Sequence, residues 1–365
     1  MFAAVDQRAG EGVPDDLAFD ADPADVCGRP LSSRRRCGQR LPRIDIGTHA
    51  AATVGSVGWG DWQRRAYDRV AAELARTEPD IEVVRVNECD LPALPDELWR
   101  LRRLRHLSVH ADHLHEIPAE IARLTRLERL EISAPITALP PEIGLLVQLR
   151  ELNITSGELA ELPAATGELR RLEVLQAPSA PLKAIPVELG RLASLRHLVL
   201  NGASLESGKI PAALWELGEL RELALPDCRV DELPHGIGNL RALRRLDLDN
   251  GILSDDDGLW SAPPVDLWDL TALETLILPL SGLTDVPPAI GRMTRLRYLD
   301  LSGCDVRALP PETARLVGLE HLDLSWTLVR AVDPAVRDLP RLRELRLSRR
   351  DVDQPAASPT PSERG

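Results

Sequence analysis

IEVVRVNECDLPALPDELWRLRR (residues 81–103) and LRHLSVHADHLHEIPAEIARLTR (residues 104–126) lie one under the other without a gap. Both follow the pattern LxxLxLxx…L..LPxxIxxLxx. Working outward, further copies begin at Leu127, Leu149, Leu172, Leu195, Leu220, Leu243, Leu273, Leu296 and Leu319, and a truncated one, LRELRLS, begins at Leu342. The period is 23 residues, departing to 22 at Leu127, 25 at Leu195 and 30 at Leu243. Repetition at this length marks a solenoid, in which each unit is too small to bury its own apolar side chains and stacks on its neighbours to do so.

The apolar set of the Leu104 unit is Leu104, Leu107, Val109, Leu114, Ile117, Ile121 and Leu124. Leu107 to Val109 alternates as a short strand does, while Ile121 and Leu124 stand three apart, as on one side of a helical turn. Each unit is therefore predicted to be a strand plus a helical or 3₁₀ segment, and the stack an α/β solenoid with a parallel concave sheet and a convex helical layer. Burying a side chain of this kind is worth about 1.5–3 kcal/mol, most of it offset by chain entropy. The recurring Leu-Pro or Ile-Pro step (Pro95, Pro118, Pro140, Pro163, Pro186, Pro234, Pro310) is expected in the first turn of the convex segment, where a missing N–H costs nothing.

The chain carries a formal charge of −13 and a pI near 5.2, which disfavours nucleic acid as the main partner. No apolar run is long enough for a membrane span, and Asp6, Arg8 and Glu11 interrupt any secretory signal at once, so an intracellular chain is expected, in a bacterial cytoplasm or in a host cell if injected. Lys183 and Lys209 are the only lysines among 44 basic residues, the mark of a GC-rich bacterial genome. Cys89, Cys228 and Cys304 each take the ninth place of a unit and are expected to face inward as small hydrophobes. Cys27 and Cys37 have no second pair to complete a zinc site, and a reduced compartment fits this cysteine usage.

Outside the repeats, residues 1–60 read as flexible, with an arginine cluster between residues 29 and 43 that is given no role. Residues 61–80 read as a helix capping the first unit: Trp62, Ala66, Val70 and Leu74 recur every four residues, Asp61 is placed as an N-cap, and Glu78-Pro79 is a stop. The repeats run over residues 81–348. The tail, 349–365, reads as disordered, and Arg343, Arg346, Arg349 and Arg350 surround the last strand and blunt its edge.

No nucleotide loop, HExxH or GxSxG motif is present, so neither an enzyme nor a cofactor is expected. His106 and His110 would share a strand face but stand roughly 13 Å apart, too far for one ion. His113 and His115 with Asp112 are the remaining metal candidates, and no metal is assigned to them.

The residues left free by the repeat are the informative ones. Third, fifth and seventh places should point out of the sheet, and equivalent places in adjacent units should stand about 4.8 Å apart. This places Asp300 beside Asp323, flanked by Tyr298 and His321, with Trp326 close by, and puts Arg245, Asp247 and Asp249 on the same face. Two adjacent carboxylates repel, a cost a fold does not need. An aromatic and acidic patch suits a protein partner that brings Arg or Lys. A glycosidase also needs paired carboxylates, but an open sheet offers no water-excluding pocket. In the long Leu243 unit, Asp255, Asp256, Asp257 and Trp260 are expected on one rim, with Trp268 in the core.

The repeat resembles leucine-rich repeats, both those of intracellular Ras-group scaffolds and, more closely, those of type III effectors of plant-pathogenic bacteria. The second resemblance rests on the Trp-containing helix and on VRVNECDLPALPDELWRLRRLRHLSV, and spans roughly residues 60–348. The ninth-place Asn of the general repeat is mostly replaced here, by Asp112, Gly157, Ala180, Ala203, Gly251, Ser281 and Thr327. The resemblance implies a horseshoe-shaped leucine-rich-repeat solenoid that recognises a host protein. It also implies two alternatives: the substrate-recognition part of an E3 ubiquitin ligase, or a bacterial scaffold that is not secreted.

Overall fold

A computed structural model describes residues 41–47, 59–203, 205, 210–228, 233–249 and 263–347. Among these residues, thirteen strands form one sheet in strict chain order, every pair parallel. Short 3₁₀ turns follow the strands, from Asp96–Arg100 to Pro311–Arg315, and form the opposite layer. All seven expected core residues of the Leu104 unit are buried, as are their equivalents along the stack.

The repeat prolines sit one step earlier than the first helical turn. Pro95, Pro118, Pro140, Pro163, Pro186 and Pro310 are extended residues immediately before their 3₁₀ turns. Each carbonyl accepts the N–H three residues on, as from Leu98 to Pro95 at 3.0 Å. Fixed φ serves there to enter the turn. The turns pack closely: a Cβ on Gly144 would lie 2.6 Å from the Ala165 carbonyl oxygen of the next unit.

The capping helix α1 runs Trp59–Arg76, starting two residues before the expected N-cap, so Asp61 falls in its first turn. Ala66, Val70 and Leu74 are fully buried against the first unit. Within the stretch expected to be flexible, Arg43–Gly47 instead forms strand β1, paired in register with β2 (Val83–Asn87). Ile44 and Ile46 alternate inward, with Ile46 buried, so the sheet gains an edge strand that a five-residue segment barely announces. At the other end β13 (Glu344–Leu347) carries Arg346, while Arg349 and Arg350 lie outside the described residues.

Two kinds of corner follow the strands. β2, β3 (His106–His110), β4 (Arg129–Ser133) and β5 (Glu151–Thr155) are five residues long. From the Leu172 unit onward strands shorten to three or four residues, and the eighth place turns left-handed at Ser179, Gly202, Asp227, Leu280, Gly303 and Trp326. No described helix is long and apolar enough to cross a membrane.

Candidate protein-binding face

Strand registers confirm the columns read from the repeat. At the fifth place Asp247 pairs with Ile277, Ile277 with Asp300, Asp300 with Asp323, and Asp323 with Arg346. At the third place Arg245, Thr275, Tyr298, His321 and Glu344 follow one another.

The carboxylates of this face have a structural task that the sequence reading denied them. Asp300 Oδ1 accepts the Ser302 N–H at 2.8 Å, Asp323 Oδ1 that of Ser325 at 2.8 Å, and Asp247 Oδ1 that of Asp249 at 3.1 Å. In each case the acid at place five takes the N–H of place seven out of the strand ladder and starts the corner. Pro178, Pro226 and Pro279, which have no N–H, occupy place seven in three other units. The Asp300–Asp323 repulsion is thus a cost met by two turn hydrogen bonds. Burial, with Asp323 beside it, still raises the Asp300 carboxyl above its ordinary range despite the Ser302 N–H.

The patch is also less open and less acidic than expected. Tyr298 is only 7% exposed and lies against His321, ring centroids 5.7 Å apart. Burial and the two nearby aspartates push the Tyr298 hydroxyl far above its ordinary range. His321 is buried too, its Nδ1 3.1 Å from Glu344 Oε2. Arg346 reaches Glu344 at 2.6 Å and Asp323 at 3.5 Å, while Arg245 bridges Asp247 at 2.6 Å and Glu222 at 3.5 Å. Asp249 is exposed, and Trp260 with Asp255 to Asp257 lies outside the described residues. Trp268 is core, as expected.

Exposed apolar surface appears instead along the neighbouring rim. Trp326 is 70% exposed at φ +61°, and Leu280, two units earlier at the same place, is 39% exposed at φ +55°. Between them Gly303 has no side chain, and Leu280 lies over it. Corner backbones stack directly, Leu280 N–H to the Ser302 carbonyl and Gly303 N–H to the Ser325 carbonyl, both at 2.8 Å. Leu328 adds to the rim. The signal in the sequence was the eighth place, where small or polar residues give way to Leu280 and Trp326.

A second missed signal lies at place two, where Glu82, Arg105, Glu128, Arg150 and Glu173 alternate in charge unit by unit. Arg105 pairs with Glu82 at 3.3 Å and Glu128 at 2.8 Å, Arg150 pairs with Glu173, and at the far end Glu320 pairs with Arg297 at 3.8 Å and Arg343 at 3.3 Å. Alternation fails at Arg196, Arg221 and Arg244, three arginines in succession.

The cysteines divide. Cys228 and Cys304 are buried, their Sγ atoms donating to the Leu200 carbonyl at 2.8 Å and the Leu278 carbonyl at 3.2 Å. Burial pushes the Cys228 thiol up to about 11 and also raises Cys304, so neither is activated as a nucleophile. Cys89, expected inward, is exposed, because the first corner leaves the strand differently.

A family description, leucine-rich repeat region, matches residues 81–210. Among solved structures, a leucine-rich-repeat protein of Leptospira interrogans is similar at TM-score 0.67 and 25% identity, covering 84% of this chain and 78% of that one. An internalin of Listeria monocytogenes, InlF, matches at TM-score 0.51 and 15% identity over 70% of this chain and 78% of its own. The functional domain of InlJ from the same organism, which includes a cysteine ladder, matches at TM-score 0.57 and 16% identity over 72% and 54%. Among curated proteins none matches the sequence. Repeat, sheet and family match together define a leucine-rich-repeat protein, a fold consistent with protein binding.

Proposed function

We propose that this solenoid is a protein-binding module, not an enzyme, whose partner docks on the rim and sheet of the C-terminal units with Trp326 as anchor. The observation that carries this reading is a tryptophan held 70% exposed in a left-handed corner at φ +61°. A left-handed backbone costs a non-glycine residue roughly 1–2 kcal/mol, and the neighbouring corner avoids it with Gly303. A partner that buries the exposed indole offsets that cost. Asp249, Asp300 and Asp323, with Tyr298, His321, Arg245 and Asp247 behind them, make the adjoining surface suited to a partner that brings Arg or Lys.

The biological setting we propose is that of a bacterial effector recognising a host protein, supported by the effector-like repeat over residues 60–348. A photo-crosslinking residue at exposed Leu328, two residues from an intact Trp326, offered to plant and bacterial lysates in parallel, tests both levels. Capture of one eukaryotic protein is expected. A bacterial protein alone would replace the effector with a scaffold, and absence of any crosslink at this rim would remove the anchor.

A further inference from the structure

Cys89, His110 and Asp112 come from two successive units, at the ninth place of the first and the seventh and ninth places of the second. Asn87 pairs with His110 across the strands, and the Asp112 N–H donates to the Cys89 carbonyl at 2.8 Å, so the two corners are held together by backbone. The Cys89 Sγ, a His110 ring nitrogen and an Asp112 carboxylate oxygen all lie within 4.8 Å of one another, and all three residues are exposed.

We propose that Cys89, His110 and Asp112 form a three-ligand site for a zinc-class divalent ion, the fourth position being left to water or to a partner's side chain. Donors around tetrahedral zinc stand about 3.3–3.8 Å apart, given bonds of about 2.0–2.3 Å, so side-chain torsions need close the set by no more than about 1–1.5 Å. A thiolate with an imidazole selects zinc, or cobalt as its spectroscopic substitute, over magnesium or calcium, which take oxygen ligands. The ninth-place cysteines of later units are buried and bonded to carbonyls, whereas the early corners turn the ninth place outward, which sets Cys89 against the histidine and carboxylate of the next unit. Asp90, next to Cys89 in sequence, lies 4.0 Å from His113, while Glu88 is buried and paired with Arg69 at 3.3 Å. This differs from the histidine set considered from sequence, since His113 turns to Asp90 and His115 to Glu158 at 3.7 Å. The site lies at the N-terminal end of the repeats, so an ion there ties the first two units to each other.

Titration of the reduced full chain with cobalt, read by thiolate-to-metal charge transfer in the near ultraviolet and then displaced by zinc, tests the site. One equivalent is expected, with the band abolished in Cys89→Ser and affinity weakened by about tenfold or more in His110→Ala and Asp112→Asn. Cys27→Ser/Cys37→Ser must keep the band. Thermal melts in chelator show that each variant is folded, and zinc should raise the melting temperature of wild type but not of Asp112→Asn. No thiolate band in wild type, a band that survives Cys89→Ser, or one lost in Cys27→Ser/Cys37→Ser would overturn the proposal.

Discussion

The first four units and the later ones share one period and one core, yet they leave their strands in different ways. In the early units the seventh place still pairs, His110 with Ser133 and Ser133 with Thr155, and the eighth places Ala111, Ala134 and Ser156 are absent from the left-handed corners. Later, proline or an aspartate two residues back removes the seventh-place N–H from the ladder in every complete unit except that of Leu195, and at each described eighth place the chain turns through a left-handed residue. The difference teaches where to look for function. A left-handed corner is served at least cost by glycine, as at Gly202 and Gly303; among the non-glycine corners Ser179, Asp227, Leu280 and Trp326, only Leu280 and Trp326 hold a large exposed apolar side chain, and there a binding role is the one to test.

The largest effect should come from forcing a side chain onto a late corner. Gly303→Val, at φ +69° with Leu280 lying over the glycine, is expected to cost about 2–3 kcal/mol in denaturant unfolding. The reverse change in an early corner, Ala134→Gly, should cost only about 1 kcal/mol, chiefly in chain entropy. Equal costs would mean that the two corner types do not differ energetically.

Next in size, Asp300→Ala should lose about 1–2 kcal/mol, because the Ser302 N–H loses its acceptor, whereas Asp300→Asn keeps an acceptor oxygen. The pH dependence separates charge from capping. Because Asp300 is raised, the folded protein holds its proton longer, and stability falls as pH rises from the ordinary aspartate value through the folded pKa. Asn should remove that fall. Asp266 has the opposite sign: burial raises it, but the Gly236 and Gly238 N–H groups outweigh burial and lower it overall. Its contribution is present above about pH 4 and lost as pH drops through the folded pKa. Titration-coupled melts of Asp300→Asn and Asp266→Asn that shift with pH in the same sense would contradict this assignment.

The smallest effect concerns place two. Arg221→Glu restores alternation between Arg196 and Arg244 and should stabilise by about 0.5 kcal/mol at low salt, less at high salt. No gain at low salt would show that the ladder contributes nothing there.

Much of this was legible in the sequence. The 23-residue period dictates the sheet, its register and the Asp300–Asp323 neighbourhood, because each core leucine is buried wherever the pattern repeats. The 3₁₀ layer followed from the same spacing, and the capping helix from the four-residue recurrence of Trp62, Ala66, Val70 and Leu74. What the pattern could not convey was depth and hydrogen bonding. Tyr298 and His321 are covered by their own neighbours, and Asp300 is held by an N–H two residues on, a local geometry that leaves no periodic trace. β1 escaped notice because five residues carry too little alternation to stand out from an arginine-rich segment. The Cys89, His110 and Asp112 cluster needed the corner geometry of two units at once, which spacing alone does not fix.

Trp326→Gly tests the central claim most directly, with capture of the crosslinked partner and thermal stability measured on the same preparation. Relief of the left-handed backbone should leave the variant as stable as wild type or more so, by up to about 1 kcal/mol, while partner capture is lost. Undiminished capture, or a variant that melts well below wild type, would show that Trp326 serves the fold and not a partner.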